Sequence, residues 1–212
     1  DDNLLKGSKD WKQKGLEEKE SIYSYRISSQ EQESISSLLS LFQGTHNFHN
    51  FTAGKLSSEP SSQRFIRSFT CGTPFLNTKD NLSIEWMSLR VHGQSFMLHQ
   101  IRKMIGFVVL LMKTKNQSQQ TNFFDLAFSP SSKLNIPKVP SLGLLLERCF
   151  FDSYNTNPNC QHTDQVSFQQ FNEQIEQFKE NKIYPQMFQK EWEEMEFWNW
   201  IGCIQEHSYE FA

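Results

Sequence analysis

The order of periodic segments in this 212-residue chain predicts an α+β fold. The sheet is antiparallel or mixed, in a ferredoxin-like split βαβ arrangement with helices on one face. Two observations carry the prediction. Alternating apolar positions mark strands at 21–27, 64–75, 82–96 and 144–151, and apolar residues at helical spacing mark helices at 29–44 and 97–113. In chain order these run strand, helix, strand, strand, helix, strand.

Tyr23, Tyr25 and Ile27 alternate with polar neighbours, the pattern of a half-buried strand. Ser29 is the candidate N-cap of the first helix, where Ile35, Leu38, Leu39 and Phe42 share a face until Gly44 ends it. A loop from Gly44 to Ser62 follows, then Arg64 to Phe75 and Leu82 to Phe96 as a hairpin around the turn-rich stretch Pro74 to Asn81. Met97 to Lys113 is predicted as a helix with Met97, Ile101, Met104, Ile105, Val108 and Met112 on its apolar face. After a polar loop at 114–121, an amphipathic segment at 123–128 and a proline-containing stretch at 136–143, Leu144 to Phe151 is the last strand candidate. Phe168, Phe171, Ile175 and Phe178 then mark a helix, and Pro185 to Trp200 another.

Aromatic residues make up 14% of the chain, including 19 Phe, enough for a packed core. The longest apolar run, Ile105 to Met112, is too short to span a bilayer, so a soluble intracellular protein is expected. Cys71, Cys149, Cys160 and Cys203 are scattered without ligand-like spacing, against both a disulfide framework and a zinc site. With 21 basic and 24 acidic residues, charge alone gives no sign of nucleic-acid binding.

Chemistry concentrates in three stretches. In HGQSFMLHQIRKMIG at 92–106, Arg102 shares a helix face with Leu98, Ile105 and Val109. A guanidinium in an apolar stripe requires an anion, which is a structural Glu or Asp, a catalytic carboxylate or a phosphate. In GTHNFHNFTAGK at 44–55, His46 and His49 have H-x-x-H spacing but no Cys or carboxylate beside them, so no metal is expected. Phe48 and Phe51 anchor that loop, and Asn47, His49 and Asn50 offer hydrogen bonds to backbone or to a ligand. Lys55, Arg64 and Arg67 form a local positive cluster that either touches phosphates or solvates a strand edge. Tyr23 and Tyr25 share a strand face, as core aromatics or as pocket residues able to stack on a base.

These stretches resemble the eukaryotic branch of TruA-type tRNA pseudouridine synthases. The resemblance rests on GTHNFHNF at 44–51, VHGQSFMLHQIRKMIG at 91–106, IPKVPSLGLLLE at 136–147, FDSYN at 151–155 and IYP at 183–185, in the family's order. It implies isomerisation of uridine to pseudouridine in RNA without a cofactor, through an aspartate that Arg102 would pair with. It also implies Tyr23, then Tyr25, as the active-site tyrosine, and His46, Asn47, Phe48, His49, Gln94, His99 and Leu144 as substrate contacts.

The family's Arg-Thr-Asp-Lys-Gly-Val-like motif is absent from the sequence, and Glu20, Ser21 and Ile22 stand where the family has Arg-Thr before the tyrosines. The expected organisation is therefore a polar linker or arm at 1–20, the C-terminal half of a synthase catalytic domain at 21–155 and a helical extension at 156–212. The Asp half would come from elsewhere in the protein or from a partner chain, and tRNA or another structured RNA would bind the complete domain. The alternative is a non-catalytic relative serving as a scaffold subunit.

Overall fold

The computed structural model describes residues 17–114, 116–160 and 164–206, and the fold is α+β with antiparallel sheets. Most of the arm expected at 1–20 lies outside the described residues. The chain divides into two compact units, residues 1–140 with 197–212 and residues 141–196.

The first unit opens with helix α1, Glu17–Ser24, which corrects the strand expected at 21–27. Alternation over so few residues does not exclude a helix, and the charged residues before it are good helix formers. Helix α2, Ser29–Ser40, is capped one residue earlier than expected: the Ser28 hydroxyl accepts from Glu31 N and the Glu31 carboxylate accepts from Ser28 N, a reciprocal capping box. Its buried Leu38 and Leu39, with Phe42 just beyond, face the core, and Gly44 takes a φ of 99° that turns the chain into a strand.

Strands β1 (Gly44–Asn47), β2 (Gln63–Cys71) and β5 (Leu89–Gly93) form one antiparallel sheet in the order β1-β2-β5. Strands β3 (Phe75–Lys79) and β4 (Leu82–Trp86) form a separate hairpin. The single long hairpin expected is thus two pairings in series. Its tip is Asp80 and Asn81, both at positive φ as a two-residue hairpin turn demands, so Phe75–Lys79 is strand rather than turn.

Helix α3, Gln100–Met112, and helix α4, Gln117–Phe128, pack with α2 over the inner face of the three-stranded sheet. Asn116 caps α4 by accepting from Ser118 N and Gln119 N, so the helix begins where a loop was expected. Phe42 is the hub of this core, with Phe51, Phe69 and Phe124 at centroid distances of 5.4, 5.9 and 4.8 Å. Helix α8, Glu196–Glu206, adds a smaller cluster in which Trp200 and Ile204 meet Val139, Ile105 and Val109.

In the second unit, Leu144 to Phe151 is not a strand, although its sequence suggested one. A strand needs a ladder partner, and none pairs with it among the described residues. Short helix α5 (Asp152–Asn155) is followed by α6 (Asn172–Phe178), a π-helical turn at Lys179–Ile183 and α7 (Tyr184–Glu194). Met195 at φ 53° separates α7 from α8, breaking the one helix expected over 185–200. The split βαβ arrangement is not reproduced, since neither its first nor its last predicted strand forms.

Candidate active site

Helix α3 carries Arg102 and Lys103, and each ties the helix to a different segment. The half-buried Arg102 donates from Nε to the Val139 carbonyl at 2.6 Å, and Val139 N donates back to the Arg102 carbonyl at 3.3 Å. This close approach needs Gly106, one turn further on: a Cβ there would lie 2.0 Å from the Pro137 carbonyl oxygen. The 136–139 stretch therefore runs against the helix face that holds Arg102, and the bond from Nε to the Val139 carbonyl orients the guanidinium.

Lys103 reaches the other way. Its Nζ donates to the carbonyls of Asn50 and Thr52, each at 3.1 Å. Burial, with a smaller contribution from the charge of Lys138, lowers its pKa below the ordinary lysine value. Just before it, fully buried Gln100 accepts from Met97 N at 2.9 Å while its Nε2 has no partner among the described residues. His99 precedes the helix at φ 63°.

The conspicuous loop at 44–55 spends its polar groups on the protein itself. His46 stacks on Phe128 at 4.2 Å, with Nε2 2.8 Å from the Gln43 carbonyl. Asn47 donates to the Ser57 carbonyl at 2.8 Å and accepts from His49 N at 3.2 Å. The His49 ring lies between Asn47 Oδ1 at 3.1 Å and the Ser132 carbonyl at 2.8 Å. Asn50, 4% exposed, donates to the Ala127 carbonyl and accepts from Leu134 N, both at 2.9 Å. Phe48 is fully buried. In this structure the loop is a strut between β1, α4 and the 132–134 segment. Among the described residues, no three His, Cys, Asp or Glu side chains are grouped to hold a metal.

The remaining sequence-derived residues sit elsewhere. Tyr23 is on α1, and its carbonyl accepts from Arg26 Nη1 at 2.9 Å. Tyr25, 53% exposed, donates to Glu31 Oε1 at 3.1 Å, so it is bonded to the first turn of α2 and not to α3. Burial and then the Glu31 carboxylate raise its pKa, while hydrogen bonds from Ser28 lower that of Glu31. Gln94 is exposed and its N donates to the Phe65 carbonyl at 3.1 Å. Leu144 lies in the second unit and is 53% exposed. The structure thus joins Arg102, Lys103, the 50–52 carbonyls and Val139, and leaves Tyr23 on α1 and Tyr25 against the first turn of α2. Sequence pattern singled out Arg102 but missed Lys103, because an ammonium coordinated by backbone carbonyls leaves no side-chain signature.

A profile of the family described as tRNA pseudouridine synthase matches residues 38–152, just over half of the chain. The tRNA pseudouridine synthase 1 of Yarrowia lipolytica is 44% identical over 168 residues, covering 79% of this chain and 30% of the relative. That of Schizosaccharomyces pombe is 39% identical over 190 residues, 89% of this chain and 34% of its own length. The Pseudouridylate synthase 1 homolog of Homo sapiens is 34% identical over 195 residues, 87% of this chain and 42% of its own length. The chain therefore spans between 30% and 42% of the length of these relatives. With its HQIRKMIG helix, its GTHNFHNF strut and its IPKVP segment meeting in one unit, the chain belongs to the eukaryotic TruA-type family of tRNA pseudouridine synthases.

Proposed function

We propose that this chain is the Arg102-bearing part of an enzyme that isomerises uridine to pseudouridine in tRNA. The observation that carries the proposal is the fixed guanidinium of Arg102 at the centre of the matched region. A guanidinium oriented by backbone holds a facing carboxylate ionised and aimed, which is what a carboxylate nucleophile needs. The carboxylate attacks the nucleotide and the bond from C1′ to N1 breaks. The base turns, C5 bonds to C1′ as the carboxylate is released, the C5 proton leaves and N1 takes up a proton. No cofactor enters this sequence of steps, but the target base must leave its stack.

The family's Asp motif is absent from these 212 residues, so in this reading the nucleophile comes from a longer protein or from a partner chain. In the same reading the split βαβ arrangement belongs to the complete domain, where Tyr23 or Tyr25 reaches the base. The test is tritium release from C5-labelled uridine in tRNA, measured on a longer protein that includes the Asp motif. Turnover lost on Arg102→Ala supports the synthase. Persistent inactivity of a well-folded longer protein favours a non-catalytic scaffold subunit, a role also suggested by Glu20, Ser21 and Ile22 in place of Arg-Thr.

A further inference from the structure

We propose that the outer face of the β1-β2-β5 sheet is a single-stranded RNA contact, with a base stacking at Phe65 and a phosphate neutralised by Arg67. The inner face of this sheet is closed by the phenylalanine core, with Ile66 and Phe69 at 0% and 2% exposure. Phe65, between Arg64 and Ile66 on the same strand, is 39% exposed on the outer face. Placing an aromatic ring there does nothing for the core.

Arg67 is exposed and lies at the irregularity between Ile66 and Ser68, where β2 has one residue more than β5. Bulges of this kind re-aim a side chain. Here the guanidinium carbon sits 6.0 Å from the Phe65 ring centroid, a cation-π pair on an open surface. Thr45 opposite Phe65, and Arg90 opposite Thr70, extend the same face.

Charge selects the occupant. Of the cations on these strands, Arg67 and Arg90 lie on the outer face with Phe65, whereas Arg64 and His46 pair with each other on the opposite face, and the three strands contain no Asp or Glu. The chain as a whole carries a net charge of -3. A locally acid-free sheet with an exposed aromatic-arginine pair suits a ligand with both π-faces and phosphates, which single-stranded RNA has and an acidic peptide lacks. The proposal rests on the synthase reading for its choice of RNA, but its test does not pass through catalysis.

Binding of the 212-residue chain to a dodecamer of uridine is followed by fluorescence anisotropy across a salt series. Phe65→Leu should weaken binding roughly tenfold. Phe65→Tyr should retain it. Arg67→Gln should reduce the slope of log K against log salt by about 0.7. Thermal melts confirm that these exposed substitutions leave the fold intact, and Lys133→Gln serves as a surface control.

Unchanged affinity and slope in both Phe65→Leu and Arg67→Gln overturn the proposal. So does equal or tighter binding of an RNA duplex of the same length, or an equal loss on Phe65→Leu for heparin, which has no bases. An acidic peptide that competes for the face as well as the oligonucleotide does also overturns it. A longer protein that isomerises uridine yet ignores these substitutions keeps the synthase and loses the RNA face. One that binds through Phe65 and Arg67 without turnover does the reverse.

Discussion

Arg102 and Val139 hold each other from both sides: the guanidinium Nε donates to the Val139 carbonyl at 2.6 Å, and Val139 N donates to the Arg102 carbonyl at 3.3 Å. A lysine keeps the charge but cannot keep the plane of the fork. In the longer protein, Arg102→Lys is expected to lower turnover by at least tenfold with little change in apparent substrate affinity, measured as kcat and KM for tritium release. Near-normal kcat would show that charge alone suffices at this position.

The 212-residue chain by itself is expected to release no tritium from C5-labelled uridine in any RNA, because it lacks the Asp motif. Turnover by the isolated chain would sink the mechanism assigned to it.

Gly106 is a packing requirement. The Cβ of Gly106→Ala would sit 2.0 Å from the Pro137 carbonyl oxygen, so backbone must move. The expected cost is about 3 kcal/mol by denaturant titration, at the upper end for overpacking. A loss below a few tenths would mean the 136–139 stretch is not held against α3 in solution.

Asn50→Ala removes a side chain that satisfies the Ala127 carbonyl and the Leu134 amide, both within the first unit. With each buried group costing about 1–3 kcal/mol when left unpaired, a loss of about 2–6 kcal/mol is expected. Urea unfolding reads it directly, and a substitution tolerated without loss would show that water replaces the strut.

In the second unit, Lys179 is 3% exposed and bonded to Glu147 and Glu176, each at 2.7 Å. Burial opposes its charge, but hydrogen bonds to the two carboxylates outweigh it and raise the pKa. A raised lysine contributes its full stabilisation below the ordinary value of about 10.4 and loses it as pH climbs through the higher folded value. Helical circular dichroism should therefore report falling stability above pH about 10.4, a slope that Lys179→Met removes. At neutral pH that substitution should cost about 2 kcal/mol, less than for a fully buried pair because Glu176 is half exposed.

The existence of α2 and α3 and the place of Arg102 on α3 were legible in the sequence because each follows from spacing along one helix, although the cap is Ser28 rather than Ser29 and α3 also buries Phe107, Leu110 and Leu111. The short motifs were sufficient to point to the family. Strand partners were not legible. Residues 21–27 and 144–151 have strand-like patterns, but a strand exists only where a ladder is offered, and the first became helix while the second remained irregular.

The role of the 44–55 loop was likewise decided in three dimensions. Asn47, His49 and Asn50 could have faced a ligand or backbone, and the nearby Ser57, Ala127, Ser132 and Leu134 backbone groups took them. The sequence by itself determined the α+β class and the residue types at the site. The tertiary structure alone decided which partners those residues met, because hydrogen bonds between residues some 80 positions apart, such as Asn50 with Leu134, leave no local period to read.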